Sequence, residues 1–186
     1  MSNYYDAWQN TVTKNGFAAD ELISGLQKSI RRSNAENALA IAYEMYLTSE
    51  QLEDYMWKRL LVISVEDIGF ADTNALILVR NLEQVRKEFQ YGTFDRALFM
   101  VQAVRYLCNC KKDRSSDLML NILREEFEHG RRPQIEDYML DMHTKQGRAN
   151  GKDLAHFLNV ASYVEPLAND SQHEEFFVRL QNILAK

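Results

Sequence analysis

The 186-residue chain is 46% hydrophobic and 11% aromatic, enough for one domain, or one domain with an appendage, to bury a substantial core. With only 2 prolines, 7 glycines and few β-branched alternations, it is expected to be all-α, and composition argues against a sandwich or barrel. A net charge of −5 removes any global attraction to nucleic acid, and no apolar run approaches the roughly 20 residues that cross a bilayer.

The N-terminus MSNYYDAWQN lacks the basic and apolar regions of a secretory signal, so a cytoplasmic location with no membrane contact is expected. Residues 1–18 hold Tyr4, Tyr5, Trp8, Val12 and Phe17, and read as an aromatic arm or short helix that needs a covering surface. Asp20 is positioned to cap a helix presenting Leu22, Ile23, Leu26 and Ile30 on one side. Ser33 with Glu36, and Thr48 with Gln51, have the spacing of capping boxes for the next two helices. The second would bury Leu39, Ala42, Met45 and Tyr46, and the third Leu52, Met56, Leu60 and Ile63, until Gly69 ends it.

Asp72 reads as the opening of a helix through Leu76, Val79, Leu82, Val85 and Phe89 that Gly92 stops. The segment Phe94 to Cys110 is apolar around much of its circumference, which suits a central helix or one in a subunit interface. A further helix is expected from about Ser115 to Glu128, ending at Gly130. Beyond Pro133 the span holding Gly147, Asn150 and Gly151 reads as a connector leading to a helix over about 152–164, stopped by Pro166. Ser171 with Glu174 suggests a capping box for a terminal helix. The expected organisation is an arm over 1–18, a bundle over 19–130, and a connector with helices packed on it over 131–186.

Motifs narrow the chemistry. A phosphate-binding loop needs Gly followed by Lys and then Ser or Thr; Gly151 precedes Lys152, but Asp153 stands where the hydroxyl is required. The run LLVISVED (60–67) superficially resembles an apolar strand ending in a nucleotide hydrolase's acidic pair, yet Trp57, Leu60, Leu61 and Ser64 repeat at helical spacing. Cys108 and Cys110, about 200° apart on one helix, cannot readily bridge each other or share a metal, and are expected to be reduced.

The run LQKSIRRS (26–33), the aromatic-containing second segment and WKRLLVISVEDIGFAD (57–72) together, in that order, resemble the C-terminal region of one ATPase family. That family is replication-associated recombination protein A, also called maintenance of genome stability protein A, whose eukaryotic relative is the Werner helicase-interacting protein. Its members are AAA+ ATPases related to sliding-clamp loaders. The resemblance implies an all-α bundle akin to the clamp-loader collar, assembly through these helices into a tetramer, and work in DNA replication or repair; with no phosphate-binding loop or other complete catalytic motif in the chain, neither catalysis nor a cofactor is expected. It also places Ser64, Glu66, Asp67 and Gly69 in the helical assembly region, away from any ATP site.

Lys28, Arg31 and Arg32 sit at a helix C-terminus, where cations complement the dipole; phosphate or partner contact is the competing role. Lys111, Lys112 and Arg114, and Lys145, Arg148 and Lys152, extend such a patch only if the fold gathers them. Glu66 and Asp67 point about 100° apart on a helix, which favours capping the next helix or pairing with an arginine over acid–base work. Asp141, His143, Thr144 and His156 form the alternative site of a small metal-dependent enzyme, although their spacing matches no established ligand pattern and no metal is expected. A third reading is a regulator that inserts into oligomers of a full-length AAA+ relative.

Overall fold

The computed structural model describes residues 8–169 and 171–185; Tyr4 and Tyr5 of the proposed arm lie outside them. The chain divides into two compact units, Met1–Gly130 and Arg131–Lys186. The fold is all-α: among the described residues the only β pairing is a single antiparallel bridge between Val12 and Ala18.

In the first unit, α1 (Ala19–Arg31), α2 (Ala35–Thr48) and α3 (Glu50–Ile63) follow one another closely. Leu26 and Ile30 of α1 pack with Ala38, Ala42 and Met45 of α2, all fully buried. On α3, Leu52, Met56, Leu60 and Ile63 recur at four, four and three, so one helical stripe faces the core. α4 (Ala75–Val85) adds Ala75 and Val79, and α5 (Phe94–Asn109) adds Met100, Ala103, Val104 and Leu107. α5 is thus a core helix on one side, while Phe94 and Leu98 stay exposed on another. Its end carries Cys108 and Cys110 as free thiols, each pushed above the usual thiol range by burial.

Before α1 the chain is pinned to α2: Glu44 accepts from the backbone and side-chain nitrogens of Asn15. Trp8 lies against Tyr55 of α3 with ring centroids 5.4 Å apart.

Several caps differ from the expected ones by a residue or two. Asp20 lies in the first turn of α1, and Ala18 is its N-cap without a side-chain bond. Asn34, rather than Ser33, caps α2 by accepting from Asn37 N, because Ser33 takes the left-handed conformation (φ 57°) that turns the chain. Ser49, rather than Thr48, caps α3; the Thr48 hydroxyl donates to Glu44 O inside α2. Asp72 does not begin α4: one carboxylate oxygen accepts from Asn74 N and the other from the Tyr106 hydroxyl, a bond that holds the phenol above its usual pKa. α4 ends at Val85 and a 3-10 turn over Arg86–Glu88 follows, so Gly92 lies beyond the helix it was expected to stop.

α6 (Ser115–Glu128) follows expectation in its bounds but buries none of its residues. In the second unit the stretch expected as a connector holds a short helix, α7 (Lys145–Ala149), and the helix expected over 152–164 is reduced to α8 (Leu154–His156), which continues as a π-turn over Phe157–Ala161. α9 (His173–Leu184) has Gln172 at its N-cap position without a side-chain bond, while the Ser171 hydroxyl accepts from His173 N.

Candidate functional site

At the end of α3 the backbone widens into a π-turn over Ser64–Ile68 and closes at Gly69. Ser64 is buried and its hydroxyl donates to Leu61 O at 2.7 Å, while Gly69 N donates to Ser64 O. Gly69 has φ 51° and ψ −130°, a conformation open in practice to glycine, and a Cβ there would sit 2.5 Å from Asp113 O. The turn therefore presses directly on the segment that opens α6, and Asp113 N donates to Asp67 O at 3.0 Å.

This geometry delivers both carboxylates of the SVEDIG motif into a knot of arginines. Asp67, with no side-chain exposure, accepts from Arg31 Nε at 2.5 Å and Gln27 Nε2 at 3.0 Å, with Arg114 Nε 3.4 Å away. Glu66 Oε1 accepts from Arg31 Nη2 at 3.2 Å and Arg114 Nη2 at 3.3 Å, and Arg59 approaches its other oxygen at 3.8 Å. Arg114 also holds Asp117 at 2.6 Å. α1, α3, the π-turn and the start of α6 are thus tied by one network. Both carboxylates of the motif are thereby paired with arginines.

Beside the knot is an open apolar groove of about 510 Å³, lined by Leu61, Val62, Val65 and Leu120 with Glu66 and Asp117 at its edge. Val65 and Ser116 also line a second hollow, bordered by Phe70 and Leu76. The two therefore form one continuous apolar face. On it Val62, Val65, Phe70 and Leu120 are 42%, 47%, 74% and 59% exposed, which is what sets this face apart from the packed side of the bundle.

Sequence reasoning missed a second ionic cluster. Glu53, fully buried, is embraced by Arg96 through Nε at 3.1 Å and Nη2 at 2.8 Å, and by Arg86 Nη1 at 3.0 Å. The Arg86 guanidinium lies 5.5 Å from the Trp57 ring centroid. Arg96 further donates to Glu50 and to Phe89 O, locking α3 to α5 and to the turn between α4 and α5. The available signal was positional: Glu53 shares a stripe with Trp57 and Leu60, and Arg96 with Met100 and Leu107.

The basic candidates divide. Arg31 is committed to the two acids, whereas Lys28 and Arg32 remain exposed on the same helix end. Lys112 Nζ donates to Leu107 O and Cys108 O at the end of α5 and reaches Ser33 Oγ at 3.3 Å, joining the two basic segments at one corner. Lys145 and Arg148 belong to the second unit, where both are exposed and Arg148 donates to Met142 O.

The Asp141 group builds a turn. Asp141 accepts from His143 N and pairs with His143 Nδ1, both at 2.9 Å, and the His143 side chain draws its carboxyl below the usual range. The Thr144 hydroxyl caps α7 by accepting from Gly147 N and donates to Asp141 O. Gly147 packs so tightly that a Cβ would lie 1.9 Å from Asp141 O. His143 sets its ring edge-on to Phe157, and His156 N donates to the Asp153 carboxylate. Among the described residues no three His, Cys, Asp or Glu side chains gather closely enough to hold a metal.

This all-α bundle closed by the SVEDIG turn is matched, by sequence, to the helical C-terminal domains of AAA+ proteins. The family model described as the MgsA AAA+ ATPase C-terminal domain matches residues 33–178, and the chain belongs to that family. It is 30% identical over 141 residues to replication-associated recombination protein A of Bacillus subtilis (strain 168), covering 76% of this chain and 32% of that protein. It is 33% identical over 132 residues to the ATPase WRNIP1 of Dictyostelium discoideum, covering 71% of this chain and 15% of that protein. The chain therefore spans about a third or less of the relatives it matches, and the match is to a helical domain without the ATPase module. No helix among the described residues is long and apolar enough to cross a membrane.

Proposed function

We propose that this chain is a non-catalytic, self-assembling helical domain that works in DNA replication or repair in the cytoplasm, forming a homotetramer through its exposed apolar face. The single observation that carries this reading is α6, an amphipathic helix with no buried residue, lying beside the open groove of Leu61, Val62 and Val65. A helix of this pattern gains its stability from a covering surface, and a second copy supplies the same apolar face. The name of the Bacillus subtilis relative, a replication-associated recombination protein, supports the setting in DNA metabolism. Contacts with DNA or with a full-length AAA+ relative would then be made by the assembled form.

The test is the mass of the purified protein by light scattering after size exclusion, at two concentrations and without nucleotide. A tetramer is expected, and Leu120→Glu is expected to lower its mass. Leu120 is 59% exposed, so the change leaves the fold within about 0.5 kcal/mol of the parent. A strict monomer at both concentrations would overturn the reading.

A further inference from the structure

Two basic segments far apart in sequence meet at one corner of the first unit, and this meeting depends on the fold. Ser33, in the turn after α1, accepts from Lys112 Nζ at 3.3 Å, and Arg31 and Arg114 share the carboxylates of Glu66 and Asp67, so the segment of Lys28, Arg31 and Arg32 meets that of Lys111, Lys112 and Arg114. The roles of these cations separate. Arg31 and Arg114 are spent on Glu66 and Asp67, and Lys112 closes the carbonyl end of α5. Lys28, Arg32 and Lys111 are exposed, and among the described residues none of the three forms an ion pair. The acids of the corner face inward to arginine, apart from Glu36 in the first turn of α2 and Asp113, whose carboxylate accepts from Ser115 N.

We propose that Lys28, Arg32 and Lys111 form a phosphate-contacting corner for a nucleic-acid backbone. The proposal rests on the reading above, since it locates the DNA contact of the assembled domain. On a chain of net charge −5, such a corner is a local reversal of sign, and local clusters of this kind attract phosphate when the global field does not. Neither segment, LQKSIRR nor KKDR, carries an aromatic side chain, so the contact is to phosphates without base stacking and is indifferent to sequence. Three cations bind weakly alone. Several corners carried on one assembly raise the apparent affinity by effective concentration.

The experiment measures binding of a fluorescent 30-base-pair duplex by the full chain between 50 and 200 mM salt, with single-stranded DNA and anionic phospholipid vesicles as parallel arms. Each engaged subunit contributes a log–log slope of about −2.7, an approximately 40-fold loss over that range. Lys28→Gln, Arg32→Gln and Lys111→Gln should each lower the slope by about 0.9 per engaged subunit, while Lys145→Gln with Arg148→Gln leaves it unchanged. Circular dichroism and light scattering on each variant verify fold and assembly. Loss of binding in Leu120→Glu with the corner intact would mark failure of assembly rather than of the corner. No duplex binding by the parent protein, equal binding by the three corner variants, or equal affinity for vesicles would overturn the proposal.

Discussion

At the scale of single residues, buried charge organises the first unit. Glu53 is fully buried between Arg86 and Arg96, so its charge balances two guanidiniums that are themselves almost inaccessible. Glu53→Gln keeps the shape and leaves those cations without their common partner, which costs about 3–5 kcal/mol. Glu50 pairs with the same Arg96, but its side chain is 52% exposed, and Glu50→Gln is expected to cost no more than about 1 kcal/mol. Urea unfolding midpoints of the two variants check the contrast. Equal losses would mean that burial does not control the value of these pairs. None of this was legible from composition, because Glu53 and Arg96 are separated in sequence and only their shared position on buried stripes hinted at a pairing.

At the scale of elements, the end of α3 decides how α6 begins. The π-turn over Ser64–Ile68 widens the helix and carries Glu66 and Asp67 toward Arg31 and Arg114, and Gly69 then lets the backbone approach Asp113 O. Gly69→Ala is expected to destabilise by about 1–3 kcal/mol from the backbone conformation alone, with a further loss from the collision at Asp113. The loss should be accompanied by faster amide exchange over Ser115–Glu128, measured by mass spectrometry. Unchanged exchange there would separate the turn from α6. The helix and its glycine stop were readable from Trp57, Leu60, Leu61 and Ser64, whereas the π-widening was not, since it begins at Ser64, where that repeat ends. Caps were misplaced for a similar reason: Ser33, Asn34, Thr48 and Ser49 are all able to cap, and neighbouring residues compete until tertiary contacts choose.

At the scale of the whole molecule, the proposed assembly turns on the balance between covered and uncovered apolar surface. The core is gathered on α1 to α5, while Phe70, Leu118, Met119 and Leu120 stay at least half exposed. If association covers them, the native form is favoured by mass action and the thermal midpoint rises with protein concentration. A midpoint independent of concentration in the parent, and identical in Leu120→Glu, would argue against the assembled form. The second unit is stabilised differently, with few buried side chains and a turn built on the Asp141 carboxylate, the Thr144 hydroxyl and Gly147.

By itself the sequence determined the all-α class, the near bounds of α1 to α6 and the family, because helical periodicity and the LQKSIRRS and SVEDIG signatures are local patterns. Tertiary structure alone decided which charges are spent and which remain exposed. Arg31 and Arg32 are neighbours in the chain, yet one is locked onto Asp67 and the other is exposed. Their roles part because ion pairing depends on distances of a few ångströms between segments that only packing brings together.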